Sequence, residues 1–356
     1  MPAPITARRD EVCIFTAPPV TTQGTPCWSA AHPPFAYSDS RYRQYRRCPV
    51  AYYLQTYGSW RGWEASPNTT AWLAYRCKKA TPLAALVGTA VHEAMESCVR
   101  ALVARKAMPA FDRLRTDAAA TLNTAWASSR RNRAAYLARP ARIAAPMLLE
   151  LLYGTEPTSR TLDRLRQKLD SALGALIACD EFWEDVRRAA PSDVRLVDPF
   201  FSFALQSNTD ASALQVYAAP DLLVRPEADA PWIITDVKSG GTDGVIDQLL
   251  TYAVAARDGL RLPVGTGYVG QVVALGAAAS DRILRFAITP DEIDDAARAV
   301  RENARALSCV VADPTINAPV PLDTIPGTKN ESICRYCAYR AVCWPTRYSV
   351  EVPVEA

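Results

Sequence analysis

The stretch PDLLVRPEADAPWIITDVKS, residues 220–239, holds two short apolar runs on either side of a polar, proline-containing turn. Such runs read as adjacent strands joined by a turn. Fourteen residues separate Asp221 from Asp236, a spacing that lets both carboxylates meet at one end of a sheet when the strands pair. Side chains alternate along a strand, so Asp236 and Lys238 share a face. Two carboxylates beside a lysine suit a hard divalent ion such as Mg²⁺ or Mn²⁺, which takes oxygen ligands and keeps waters. Such an ion lowers the pKa of a bound water and neutralises charge on a phosphorane, while the lysine orients or helps deprotonate the nucleophile. The plainer alternative is a strand-end ion pair with Asp221 in a turn.

Outward from this stretch, strand-like texture begins near residue 197. VDPFFSFAL, LQVYAAPDLLVR and WIITDVKS read as three consecutive strands. GVIDQLLTYAVAARDG follows as an amphipathic helix ending at Gly259, with Gln248 and Tyr252 one turn apart on one face. GYVGQVVALGA and RILRFAI read as two further strands. TPDEIDDAARAVRENARALS then opens a helix with Thr289 as cap, Pro290 at its first position and acids in the first turn, where the helix dipole favours them.

Upstream, residues from about 70 to 190 are mostly helical. One helix, TPLAALVGTAVHEAMESCVRALVARKA, carries His92, one of two histidines in the chain, with Gly88 a turn before it and Glu96 a turn after. Glycine at that spacing lets the helix approach the sheet while His92 reaches an ion; a satisfied, half-buried histidine is the alternative. Nearer the N-terminus, YSDSRYRQYRRCPVAYYLQTYGSW reads as one helix capped by Ser38 or Ser40, with Cys48 inside it and aromatics at Tyr42, Tyr45, Tyr52 and Tyr53. The expected segments are a loosely ordered arm (1–36), N-terminal core helices (37–100), a helical insertion (101–195), a sheet-bearing core (196–308) and a cysteine-rich end (309–356). The fold class is α/β, a mixed central sheet flanked by helices.

With 356 residues, 49% hydrophobic and 22% charged, the chain has the balance of a globular protein. No long apolar segment reads as a membrane span or signal peptide, so a cytoplasmic location is expected. Net charge is only +3, yet arginines cluster in RYRQYRR (41–47) and RRNRAAYLARPAR (130–142). Guanidinium forks match phosphate, although solvated helix faces show the same pattern. No Gly-Lys pair occurs anywhere, which excludes a P-loop and an intrinsic ATP-driven motor.

Ten cysteines are too few for a disulfide scaffold, but three fall within CRYCAYRAVCW, residues 334–344. Cys334 and Cys337 form a chelating C-x2-C pair, and Cys343 adds a third thiolate. A four-coordinate site needs one more, and thiolate spacing alone does not separate zinc from an iron–sulfur cluster.

Taken in order, GTAVH, PD, DVK, QLLTY and then C-x2-C-x5-C resemble the PD-(D/E)xK nuclease superfamily. Within it they are similar to the RecB-like exonucleases with a four-cysteine iron–sulfur cluster, among them AddB-type nuclease domains and CRISPR-associated four-cysteine exonucleases. The resemblance runs from about 36 to 345 and is loose over the helical insertion. It implies a restriction-endonuclease-like fold, with His92, Asp221, Asp236 and the Val237 carbonyl as ligands of Mg²⁺ or Mn²⁺. It further implies Lys238 as the catalytic lysine and Gln248 and Tyr252 as residues that shape the site or contact DNA. The family's cysteine-proline element near the N-terminus resembles RRCPVAYYLQTYG, which implies Cys48 as the partner of Cys334, Cys337 and Cys343 around a [4Fe-4S] cluster joining the N- and C-terminal segments. The remaining cysteines, Cys13, Cys27, Cys77, Cys98, Cys179 and Cys309, read as buried or incidental.

Two features depart from the family pattern. The first acid follows AAP rather than a glycine and an aliphatic residue, and the second acid is Asp instead of Glu. The expected activity is hydrolysis of DNA by a metal-activated water, as an exonuclease on single strands or ends, with any unwinding supplied by a helicase or other complex subunit. The alternatives are a catalytically inactive nucleic-acid-binding or assembly subunit, and a redox or nucleotide-modifying enzyme.

Overall fold

The computed structural model describes residues 30–66, 69–138, 147–198, 200–206 and 213–343. Most of the expected N-terminal arm, with Cys13 and Cys27, lies outside the described residues. The chain divides into two compact units, the first built mainly from residues 87–119 and 164–301, the second from 19–86, 120–163 and 302–356.

The first unit is organised by a five-stranded mixed sheet, in the order Val194–Arg195, Leu222–Val224, Ile233–Lys238, Tyr268–Ala274, Ile283–Ile288. The first two junctions are antiparallel, Ile233–Lys238 runs parallel to Tyr268–Ala274, and the last junction is antiparallel again. A parallel pair needs a crossover. Helix Val245–Val254, extended by a π turn through Ala255–Gly259, supplies it. The central strand is buried on both faces from Ile233 to Val237, as a strand with covered faces must be.

Helices supply the apolar cover. Helix Leu83–Val103 buries Val87, Ala90, Val91, Ala94, Met95, Cys98 and Val99, a stripe at three- and four-residue spacing. Helix Asp180–Arg188 contributes Phe182 and Trp183, both fully buried. Helix Pro290–Leu307 begins with a reciprocal cap: the Glu292 N–H donates to Thr289 Oγ1, and the Glu292 carboxylate accepts from the Thr289 N–H.

Two strand expectations are corrected. The run LQVYAAPDLLVR is not one strand but two, Leu214–Tyr217 and Leu222–Val224, separated by Ala218–Asp221. Pro220 has no N–H for a ladder and constrains its neighbour, so the pairing stops there. Leu214–Tyr217 pairs only with Ser202–Leu205 as a separate antiparallel ribbon, leaving Leu222–Val224 alone to enter the main sheet. That sheet is completed at its edge by Val194–Arg195, a two-residue strand just beyond the region that reads as helical up to 190.

In the second unit, the segment expected as one N-terminal helix is broken at Cys48. Ser38 caps helix Asp39–Arg47, accepting from the Arg41 N–H at 3.2 Å. Cys48 is extended, with φ −162°, and helix Pro49–Tyr53 restarts on Pro49 before a π turn at Leu54–Gly58. A residue before proline disfavours the helical region, which is why the break falls on the cysteine. Two short strands absent from the sequence reading, Ala80–Thr81 and Met147–Leu148, pair in parallel nearby. Among the described residues no helix is long and apolar enough to cross a membrane.

Candidate functional site

In the first unit, sheet register decides which polar groups meet. Leu222 pairs with Thr235 and Leu223 with Ile234, so Asp221, one residue ahead of the strand, falls beside Asp236. The two acids therefore converge as their spacing implied. The Asp221 carboxylate accepts the Val237 N–H at 2.7 Å, tying the short strand's start to the central strand. Asp236, 2% exposed, forms an ion pair with Lys238 Nζ at 2.8 Å. The ammonium also donates to Gln248 Oε1 at 3.1 Å, and the Gln248 amide donates to the Tyr252 hydroxyl one turn further along the crossover helix.

His92 reaches the same place from helix Leu83–Val103. Its Nδ1 lies 3.1 Å from Asp221 Oδ1 and its Nε2 3.0 Å from the Val237 carbonyl. Gly88, a turn earlier, lies against Ser239, and an added Cβ there would make only ordinary van der Waals contact with Ser239 Oγ at 3.4 Å, so the approach does not require glycine. All of the sequence-derived residues at this site, His92, Asp221, Asp236, Val237, Lys238, Gln248 and Tyr252, are thus linked by short contacts.

Electrostatics follow from crowding acids in a buried place. Burial, then the neighbouring Asp221 charge, pushes Asp236 up to about 6 against the opposing pull of Lys238 and His92. For His92, burial works against the charged ring, but Asp221 and the Val237 carbonyl outweigh it and the net shift is upward. Both contacts are hydrogen bonds at once only when both ring nitrogens carry protons.

Among the described residues no group of three or more His, Cys, Asp or Glu side chains is arranged to hold a metal ion. The donor chemistry nevertheless fits a hard divalent ion, which is commonly held by one or two carboxylates plus waters rather than by a full protein cage. Asp221, Asp236 and the Val237 carbonyl are such oxygens. Asp236 Oδ2 is buried and accepts no well-directed hydrogen bond beyond its ion pair.

The second unit brings the four expected cysteines together. Cys48, Cys334, Cys337 and Cys343 line one small cavity, whose wall also includes Val50, Leu54, Ile333, Tyr339 and Arg340. Cys334 sits in helix Glu331–Arg335, capped by Asn330, and Cys343 ends helix Arg340–Cys343. Burial and the other three thiols push Cys343 up to about 12, and burial first, then Cys48 and Cys334, raises Cys337. Four thiol side chains around one cavity are the donor chemistry that a soft metal or an iron–sulfur cluster takes. The Tyr339 N–H points at Cys337 Sγ, 3.4 Å away.

Tyr153 anchors this loop, and no expectation from sequence included it. Its hydroxyl donates to the Ala338 carbonyl at 2.7 Å and lies 3.7 Å from Cys77 Sγ, while the Arg340 guanidinium stacks 3.6 Å from its ring centroid. No local signal in LELLYG marks it, because its partner Ala338 is 185 residues away. Cys77, Cys98 and Cys179 are buried as expected, and Cys309 is exposed.

No curated protein matches the chain. The family model for the PD-(D/E)XK nuclease superfamily matches residues 36–344, spanning both the acid–lysine site and the cysteines, and the chain belongs to that superfamily.

Proposed function

We propose that this protein is a metal-dependent deoxyribonuclease, an exonuclease on single strands or DNA ends, with His92, Asp221, Asp236 and Lys238 as its reaction centre. Membership of the superfamily makes a nuclease and nucleic-acid binding the expected class. The observation that carries the reading is the Lys238 ammonium, held 2.8 Å from Asp236 beside a second carboxylate at the end of the central strand. Mg²⁺ or Mn²⁺, held by Asp221, Asp236 and the Val237 carbonyl with His92, would supply a lowered water pKa and charge neutralisation at the scissile phosphate. Lys238, fixed between Asp236 and Gln248, orients the nucleophile and balances the negative charge that develops at the phosphate. Gln248 and Tyr252 hold that lysine in place.

Cys48, Cys334, Cys337 and Cys343 are proposed to hold a [4Fe-4S] cluster with a structural role, tying the N-terminal helix break to the C-terminal loop. Support comes from their sharing one cavity and from an all-thiol donor set.

The test is degradation of labelled single-stranded DNA in Mn²⁺ or Mg²⁺ by wild type and Lys238→Ala, where the variant should lose about 10²–10⁴ in rate. Equal activity in both would overturn the mechanism, and inactivity in both with DNA still bound would favour the binding or assembly subunit. Anaerobic purification should yield iron and sulfide in wild type and little in Cys48→Ala; a colourless, zinc-loaded wild type would overturn the cluster.

A further inference from the structure

A second concave site, of about 250 Å³, opens in the second unit on the outer side of the cysteine loop. Its wall includes Cys48 and Cys337, but its polar groups come from elsewhere: Gln44 and Arg47 of the first helix, Gln55 of the π turn, Lys78 at the end of helix Thr70–Lys79, and Tyr336 of the C-x2-C turn. Among the described residues no Asp or Glu lines it. The charged neighbours felt by Lys78 are Arg41 and Lys79, both cations. Burial and these like charges act together to lower its pKa.

Tyr336 is the unusual element. It is 74% exposed, although it sits between two cysteines whose own side chains are partly covered. Cys337 lines both cavities, whereas Tyr336 lines only this one, which bears two cations and two carboxamides. An exposed aromatic ring offers a π face for a base, cations beside it neutralise phosphates, and carboxamides hydrogen-bond base edges. These are the ingredients of single-strand recognition, and no carboxylate among the described lining residues neutralises the two cations.

We infer that this cavity is a nucleotide subsite for single-stranded DNA, in which Tyr336 stacks a base, Arg47 and Lys78 hold the flanking phosphates, and Gln44 and Gln55 contact the base edge. It deepens the nucleic-acid reading above and rests on it. The cysteine loop thereby acquires a second role, because whatever orders the loop also orders the stacking ring. The thiol set and the subsite are two sides of one turn.

The test is fluorescence anisotropy of labelled oligo(dT) against the full chain, purified anaerobically, without divalent metal so that no cleavage occurs. Tyr336→Ala should weaken binding about tenfold and Tyr336→Trp should retain it. Lys78→Gln, away from the cysteine turn, should reduce the salt slope by about 0.7. Wild-type affinity in Tyr336→Ala together with an unchanged slope in Lys78→Gln would overturn the subsite. So would a Trp variant as weak as Ala with iron content and circular dichroism intact, or an effect confined to oligo(rU). Because binding is read without turnover, failure here is distinct from failure of the Lys238 mechanism, which is read only by cleavage.

Discussion

His92 stands 3.1 Å from Asp221 through Nδ1 while its other nitrogen meets the Val237 carbonyl at 3.0 Å, so one ring bridges the two strands that carry the acids. On the proposed function, a protonated His92 would compete with a divalent ion for the same oxygens.

Metal affinity should accordingly depend on pH. Asp236 is held up to about 6 and His92 above its ordinary value. Both raised groups stabilise the metal-free fold most when protonated, below the ordinary carboxylate and imidazole ranges, and that contribution is lost as pH rises through the folded values. Metal binding needs the proton-free forms, so Mn²⁺ affinity by calorimetry should rise from about pH 5 to about pH 8 and level off at the top. A flat profile would show that neither group is displaced.

Gln248→Ala should lower kcat about 10- to 100-fold with KM nearly unchanged, as expected for a group that orients a reacting residue rather than binding substrate. The reason is that Gln248 Oε1 is the second anchor of the Lys238 ammonium. A rise in KM with kcat intact would make Gln248 a DNA contact instead.

Tyr153→Phe keeps the ring under Arg340 but removes the hydroxyl that serves the Ala338 carbonyl and the Ala341 N–H. Leaving those groups unpaired should cost about 1–3 kcal/mol in urea unfolding. In metal-free protein, maleimide labelling of Cys337 should accelerate, since its turn is tied down by that hydroxyl. Unchanged stability and labelling would remove Tyr153 from the anchoring role.

Leu222→Ala should destabilise by about 2–5 kcal/mol, because Leu222 is fully buried in a three-residue strand with little room to collapse. Mn²⁺ affinity should fall with it, since pairing of Leu222 with Thr235 is what sets Asp221 beside Asp236. Leu222→Met, nearly volume-conserving, should cost under about 1.5 kcal/mol and keep the metal affinity.

By itself, the sequence determined what is local. Ser38 and Thr289 mark helix starts because a side-chain oxygen satisfies an orphan N–H within three residues. The apolar stripe of Leu83–Val103, the crossover helix after the central strand, and the spacing of Asp221 from Asp236 follow from periods of 3.6 and 2 that can be counted along the chain. Even the break at Cys48 is legible in the following Pro49, although the helical texture on both sides of it suggests one continuous helix. What only the tertiary structure decided lies between distant positions: that Pro220 sends the halves of one apolar run into different sheets, that a two-residue strand at Val194–Arg195 completes the main one, that Tyr153 holds the cysteine loop, and that Tyr336 faces a cationic cavity. His92 and Val237 are 145 residues apart and meet at 3.0 Å. Local periodicity carries no information about such pairs, because they are set by packing and register, which belong to the assembled chain.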